Sequence, residues 1–122
     1  MGVAWPDLRD WVLALPGGRE VFVDNWGEWT LRYGGKVFVI GGPEQATASI
    51  KASREDQAEL IHSAPDIYSP APYVGRYGWV KVVLESADAD ELRQVVTEAW
   101  RRSAPKTVVR EYDSAQGQQH QG

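Results

Sequence analysis

Apolar positions in this chain change period several times, and each change marks an element. Leu8, Trp11, Val12 and Leu15 recur at helical spacing behind Trp5, and Pro6 suits a first helical turn, so the pattern predicts an amphipathic helix over 5–15. Pro16, Gly17 and Gly18 end it. From Trp26 the period falls to two: Trp29, Leu31 and Tyr33 face one way while Glu28, Thr30 and Arg32 face the other, as on a half-buried strand. Gly34 and Gly35 then predict a two-residue hairpin into a second strand over 36–40. After a Gly41-Gly42-Pro43 loop the alternation resumes over 47–52, which completes a three-strand meander.

Ser53, with Asp56 three residues on, caps a second helix that carries Leu60, Ile61 and Ala64 and stops at Pro65. Pro65, Pro70 and Pro72 allow only a short or edge strand near Tyr73. Residues 79–84 form a strong strand, with Val80, Val82 and Leu84 toward the core and Trp79, Lys81 and Val83 away from it. Asp88 with Glu91 caps a long helix through Leu92, Val95, Val96, Ala99 and Trp100 to Pro105. Residues 1–112 thus read as one domain and 113–122 as a disordered polar tail. Antiparallel strands grouped this way, with helices sharing one face of the sheet, predict a two-layer α+β sandwich.

Composition narrows the chemistry. The 122 residues contain no cysteine, which excludes disulfide frameworks, Cys-ligated metals and thiol catalysis and allows a reducing, cytoplasmic location. No apolar run approaches a membrane span, and no signal peptide is visible. Of the two histidines, His120 falls in the polar tail and His62 reads as a solvent-facing helix residue. No metal-ligand spacing, phosphate loop or nucleophile elbow occurs; Gly34-Gly35-Lys36 joins two strands and opens no helix. We therefore expect no enzyme, no catalytic residue, no metal and no cofactor.

The six tryptophans divide by pattern. Trp11, Trp29 and Trp100 fall on predicted core faces, and Trp5, Trp26 and Trp79 do not. Alternation sends Trp26, Arg32, Lys51, Trp79 and Lys81 to the side of the sheet opposite the helices, with Arg76 and Tyr77 in the adjoining loop. Cations beside flat rings suit either of two partners: nucleic acid, whose phosphates and bases they contact, or a protein surface, a second copy of this chain included. The net charge of −4 sets the nucleic-acid reading a condition, namely that its cations cluster. The basic end of the last helix, Arg101, Arg102 and Lys106, is explained by the helix dipole alone.

The element order and four strings together resemble the MmcQ/YjbR family: L-A-L-P-G at 13–17, G-G-K-V-F at 34–38, P-A-P-Y-V-G-R-Y-G-W at 70–79 and D-E-L-R at 90–93. The resemblance spans about residues 5–105. It implies a frataxin-like (CyaY-like) sandwich and a DNA-binding role, here through the open sheet face and the 74–79 loop. Where the family carries an Asn, two basic residues and a His before the Trp79 position, this chain has Gly75, Arg76, Tyr77 and Gly78. For the iron that a frataxin-like shape raises, the first helix offers only Asp7 and Asp10.

Overall fold

The computed structural model describes residues 2–121. Along the chain lie α1 (Trp5–Leu13), β1 (Gly18–Val23), β2 (Glu28–Tyr33), β3 (Lys36–Gly41), β4 (Thr47–Ile50), α2 (Arg54–Ser63), β5 (Tyr68–Pro70), β6 (Val80–Val83), α3 (Ala89–Ser103) and α4 (Lys106–Gln121). All six strands form one antiparallel sheet in the order β1-β2-β3-β4-β6-β5, so β1 and β5 are its edges. The architecture is an α+β two-layer sandwich.

Register explains where the core sits. Leu31 pairs with Val39, Val39 with Ile50 and Ile50 with Val80, so one row of apolar side chains crosses four strands on the same face. A bulge between Leu31 and Arg32 gives β3 one extra residue, and Phe38 and Val39 are both fully buried there. Leu8 and Val12 of α1 and Leu92, Val96 and Trp100 of α3 close over this row with no exposed area. Each such side chain contributes roughly 1.5–3 kcal/mol by leaving water. The helices begin where the sequence caps them: the Ser53 hydroxyl accepts from the Asp56 N–H at 3.0 Å, and the Asp88 carboxylate accepts from the Glu91 N–H at 2.9 Å.

The structure departs from the sequence pattern in four places. The meander has four strands, because residues 18–23 form β1; Glu20 faces inward there, where its carboxylate accepts from the Trp5 indole at 2.7 Å. That bond and the missing side chain of Gly41 seat Trp5 in the core, 2% exposed, rather than outside it. Trp26 lies in the β1–β2 turn, not on an outward strand position. The predicted disordered tail is the continuation of α4 to Gln121. Helix α4 folds back on α3, with Tyr112 edge-on to Trp100 at 5.0 Å and Asp113 accepting from Arg101 at 2.7 Å. The side chain of His120 lies outside the described residues.

Candidate functional site

Both central helices cover the same side of the sheet, and the alternation of the strands decides what the other side shows. Outward positions on β1 and β2 are Arg19, Val21, Val23, Glu28, Thr30 and Arg32; on β4, β6 and β5 they are Thr47, Ser49, Lys81, Val83 and Ser69. Ser49 faces Lys81 across the β4–β6 ladder, and two places further the same register sets Lys51 opposite Trp79. Lys51 is tied in by its N–H to the Phe38 carbonyl at 2.9 Å. Arg19 and Arg32 therefore face each other on β1 and β2 with Val37 opposite Arg32 on β3, and Lys81 stands between Ser49 and Ser69, while Lys51 follows β4 beside Phe38, the extra residue of the β3 bulge.

Arg32, Lys51, Trp79 and Lys81 are half-buried and Arg19 is exposed, so no element seals them. Among the described residues none of these four cations is within salt-bridge distance of a carboxylate; the ion pairs involve Arg9, Arg101 and Arg102. Glu28, at the far end of β2, is the one outward carboxylate on the described strands, since Glu20 turns inward. The Arg32 guanidinium is held by the Thr30 hydroxyl, to which its Nη2 and Nε donate at 2.7 and 3.1 Å, while that hydroxyl donates to the Val21 carbonyl at 2.8 Å. Carboxylates gather in the other layer, with Asp7 and Asp10 on α1, Glu55, Asp56 and Glu59 on α2, and Asp90, Glu91 and Glu98 on α3. The helices also carry Arg9, Arg54, Arg93, Arg101, Arg102, Lys106 and Arg110, so their charge is mixed, whereas the outward strand positions set Arg19, Arg32 and Lys81 against Glu28 alone, a local basic excess despite the net charge of −4.

The loop over 71–79 closes the β5–β6 hairpin beyond the Pro70–Val80 pair. Side chains of α2 grip its backbone: Gln57 donates to the Gly75 and Trp79 carbonyls, both at 2.7 Å, and Arg54 to the Arg76 carbonyl at 3.0 Å. Gly78 takes φ +100 and packs against the start of α2. What the loop presents outward is Tyr73, Arg76 and Tyr77, with the Arg76 guanidinium 4.9 Å from the centre of the Tyr77 ring. Tyr73 is 95% exposed at φ +64, and the Val74 N–H bonds back to the Pro72 carbonyl at 2.6 Å, closing a tight γ-turn around it.

The structure therefore brings Arg32, Lys51, Trp79 and Lys81 onto one face and sets Arg76 and Tyr77 at its rim. It does not bring Trp26 to them: the β1–β2 turn lies at the opposite end of the strands from Trp79. Pattern reading missed Arg19, because β1 was not recognised, and Tyr73, whose exposure depends on a turn with no periodic mark.

Two hollows lie elsewhere. A groove of about 310 Å³ between α2 and α3 has Leu60 and Val95 in its lining and Glu59, Glu91 and Glu98 around them. A second hollow of about 380 Å³ lies by Phe22, Trp29 and Pro43. His62 is exposed at the end of α2. Among the described residues no group of three or more His, Asp or Glu is placed to hold a metal ion, and no helix is long and apolar enough to cross a membrane.

No curated protein matches this chain. Among solved structures, a crystal structure of the Deinococcus radiodurans protein DR2400, described by the domain name DUF419, is similar at a TM-score of 0.71 and 21% identity, over 81% of this chain and 76% of that one. That likeness concerns the fold. The YjbR family model matches residues 13–102, from the end of α1 to the last turn of α3, and with most of the ordered sandwich inside that match the chain belongs to the YjbR family.

Proposed function

We propose that this YjbR-family protein is a non-catalytic, cytoplasmic DNA-binding protein that takes its ligand on the open sheet face and the 71–79 loop. The observation that carries the reading is the gathering of Arg19, Arg32 and Lys81 at outward strand positions, with Lys51 just past β4, all without carboxylate partners. Cations on such a face contact phosphates, and each contact releases condensed counterions, so affinity falls as salt rises. Trp79 and Tyr77 beside them offer flat rings.

The test is a titration of labelled DNA across a salt series from low ionic strength. Binding is expected at low salt, with Arg32→Ala and Lys81→Ala each weakening it and each lowering the slope of log affinity against log salt by about one. Absence of binding at low salt, or a slope the variants leave unchanged, overturns the reading.

A second reading is a protein-interaction module or homodimer. It draws on Trp26 and Phe22, 54% and 43% exposed around the β1–β2 turn, beside the edge strand β1. Light scattering over a concentration series tests it: mass that rises with concentration and falls back in Trp26→Ala supports self-association, and a constant monomer mass counts against it.

A further inference from the structure

Resting on the reading above, the geometry points to one class of nucleic acid: we propose that the sheet face and the 71–79 loop bind a single strand, with bases stacked on Tyr73, Tyr77 and Trp79. The width of the sheet is the first argument. Six strands at about 4.8 Å spacing make a surface roughly 24 Å across, whereas the major groove of a duplex is about 12 Å wide and admits a helix or a two-stranded ribbon. The helices that could enter a groove are on the other layer, where Arg9, Arg101 and Arg102 are already paired with carboxylates. A broad pleated face is too wide for the major groove of an undistorted duplex, but it can support a strand whose bases are already unstacked.

The loop supplies the second argument. An aromatic ring gains by leaving water, yet Tyr73 is held 95% exposed in a left-handed conformation that costs a residue with a β-carbon about 1–2 kcal/mol. Gln57, Arg54 and the buried glycines Gly75 and Gly78 fix the backbone that holds it there. Strain kept at a solvent-facing aromatic is the mark of a residue preorganised for a partner. Tyr77, 59% exposed with Arg76 beside its ring, offers a second platform, and Trp79 sits where the loop joins β6, two residues before Lys81. Phosphates along Lys51 and Lys81 and bases over the three rings then belong to one bound strand.

Fluorescence anisotropy on the full chain, with a labelled 12-nucleotide single strand and the matching 12-base-pair duplex at equal salt, tests this. The single strand is expected to bind at least tenfold more tightly than the duplex. Tyr73→Ala and Tyr77→Ala are each expected to weaken the single strand about fivefold or more, as loss of one stacked base does, and to leave the duplex affinity unchanged. Tyr77→Phe, which keeps the ring, is expected to bind like the parent. Equal or tighter duplex binding, or tyrosine variants that bind the single strand normally while Lys81→Ala weakens both ligands, overturns the single-strand assignment and leaves the DNA-binding reading standing. Absence of binding to either ligand overturns both.

Discussion

Arg19 on β1 stands directly opposite Arg32 on β2, two guanidinium groups in facing positions with no carboxylate paired to either. Facing like charges destabilise a ladder by roughly 0.2–1 kcal/mol. Arg19→Thr is therefore expected to raise stability in urea unfolding by about 0.5 kcal/mol and to weaken DNA binding, opposite signs from a single substitution. A variant less stable than the parent would show that the two guanidinium groups do not repel.

The 71–79 loop is predicted to depend on Gly78. A β-carbon there lies 2.7 Å from the Ser53 carbonyl carbon and 2.8 Å from the Arg54 nitrogen, both backbone atoms, at a φ of +100 that side chains rarely adopt. Gly78→Ala should cost about 2 kcal/mol or more, from strain and from displacement of the loop. Urea denaturation measures it, and a loss under about 0.5 kcal/mol, the level of an ordinary surface change, contradicts the packing.

Stability at high pH should carry the mark of Tyr68. Its hydroxyl is held neutral well above the ordinary tyrosine range, first by burial and then by the Glu91 carboxylate that accepts from it at 2.9 Å. In the unfolded chain a tyrosine ionises near pH 10. The folded protein thus keeps a proton that the unfolded chain releases, so this contribution is full below about pH 10 and is lost as pH rises beyond it. Tyr68→Phe is expected to cost about 1 kcal/mol at pH 7 through the lost hydrogen bond. It should also show a shallower decline above pH 10, so that parent and variant converge. An alkaline slope identical to the parent's rules this out.

Helix α4 is predicted to be part of the folded unit through Tyr112, which meets Trp100 edge-on. Edge-on aromatic pairs are worth about 0.5–1.5 kcal/mol beyond the area they bury. Tyr112→Ala should accordingly lower unfolding free energy by about 2 kcal/mol in all. Asp113→Asn, which weakens only the exposed pair with Arg101, should cost less than about 1 kcal/mol. If Tyr112→Ala is silent, α4 is not docked.

What the sequence made legible was set by periodicity. Alternation alone sends Arg32 and Lys81 to the face opposite the Leu31–Val39–Ile50–Val80 row, and their pairing with Arg19 and with Ser49 and Ser69 agrees with that direction. Strand β1 defeats the same reading because its inward positions carry Glu20, satisfied by Trp5, and Phe22, left exposed at the sheet edge. Its polarity pattern looks reversed until the partner of Glu20 is known. The grip of Gln57 on the carbonyls of Gly75 and Trp79 joins positions about twenty apart in the chain and leaves no local trace. Helix α4 escaped because its polar composition reads as tail, whereas its first two turns put Val108, Val109 and Tyr112 against the core.

The gathering of unpaired cations on one face sets how this molecule would meet a phosphate chain under the proposed function. At physiological salt, beyond a screening distance of about 8 Å, the net charge of −4 is largely hidden from a phosphate chain. Inside that distance only the nearest groups count, so under the proposed function a strand is held when the face with Arg19, Arg32 and Lys81 leads, and rotation of the protein sets which encounters are productive.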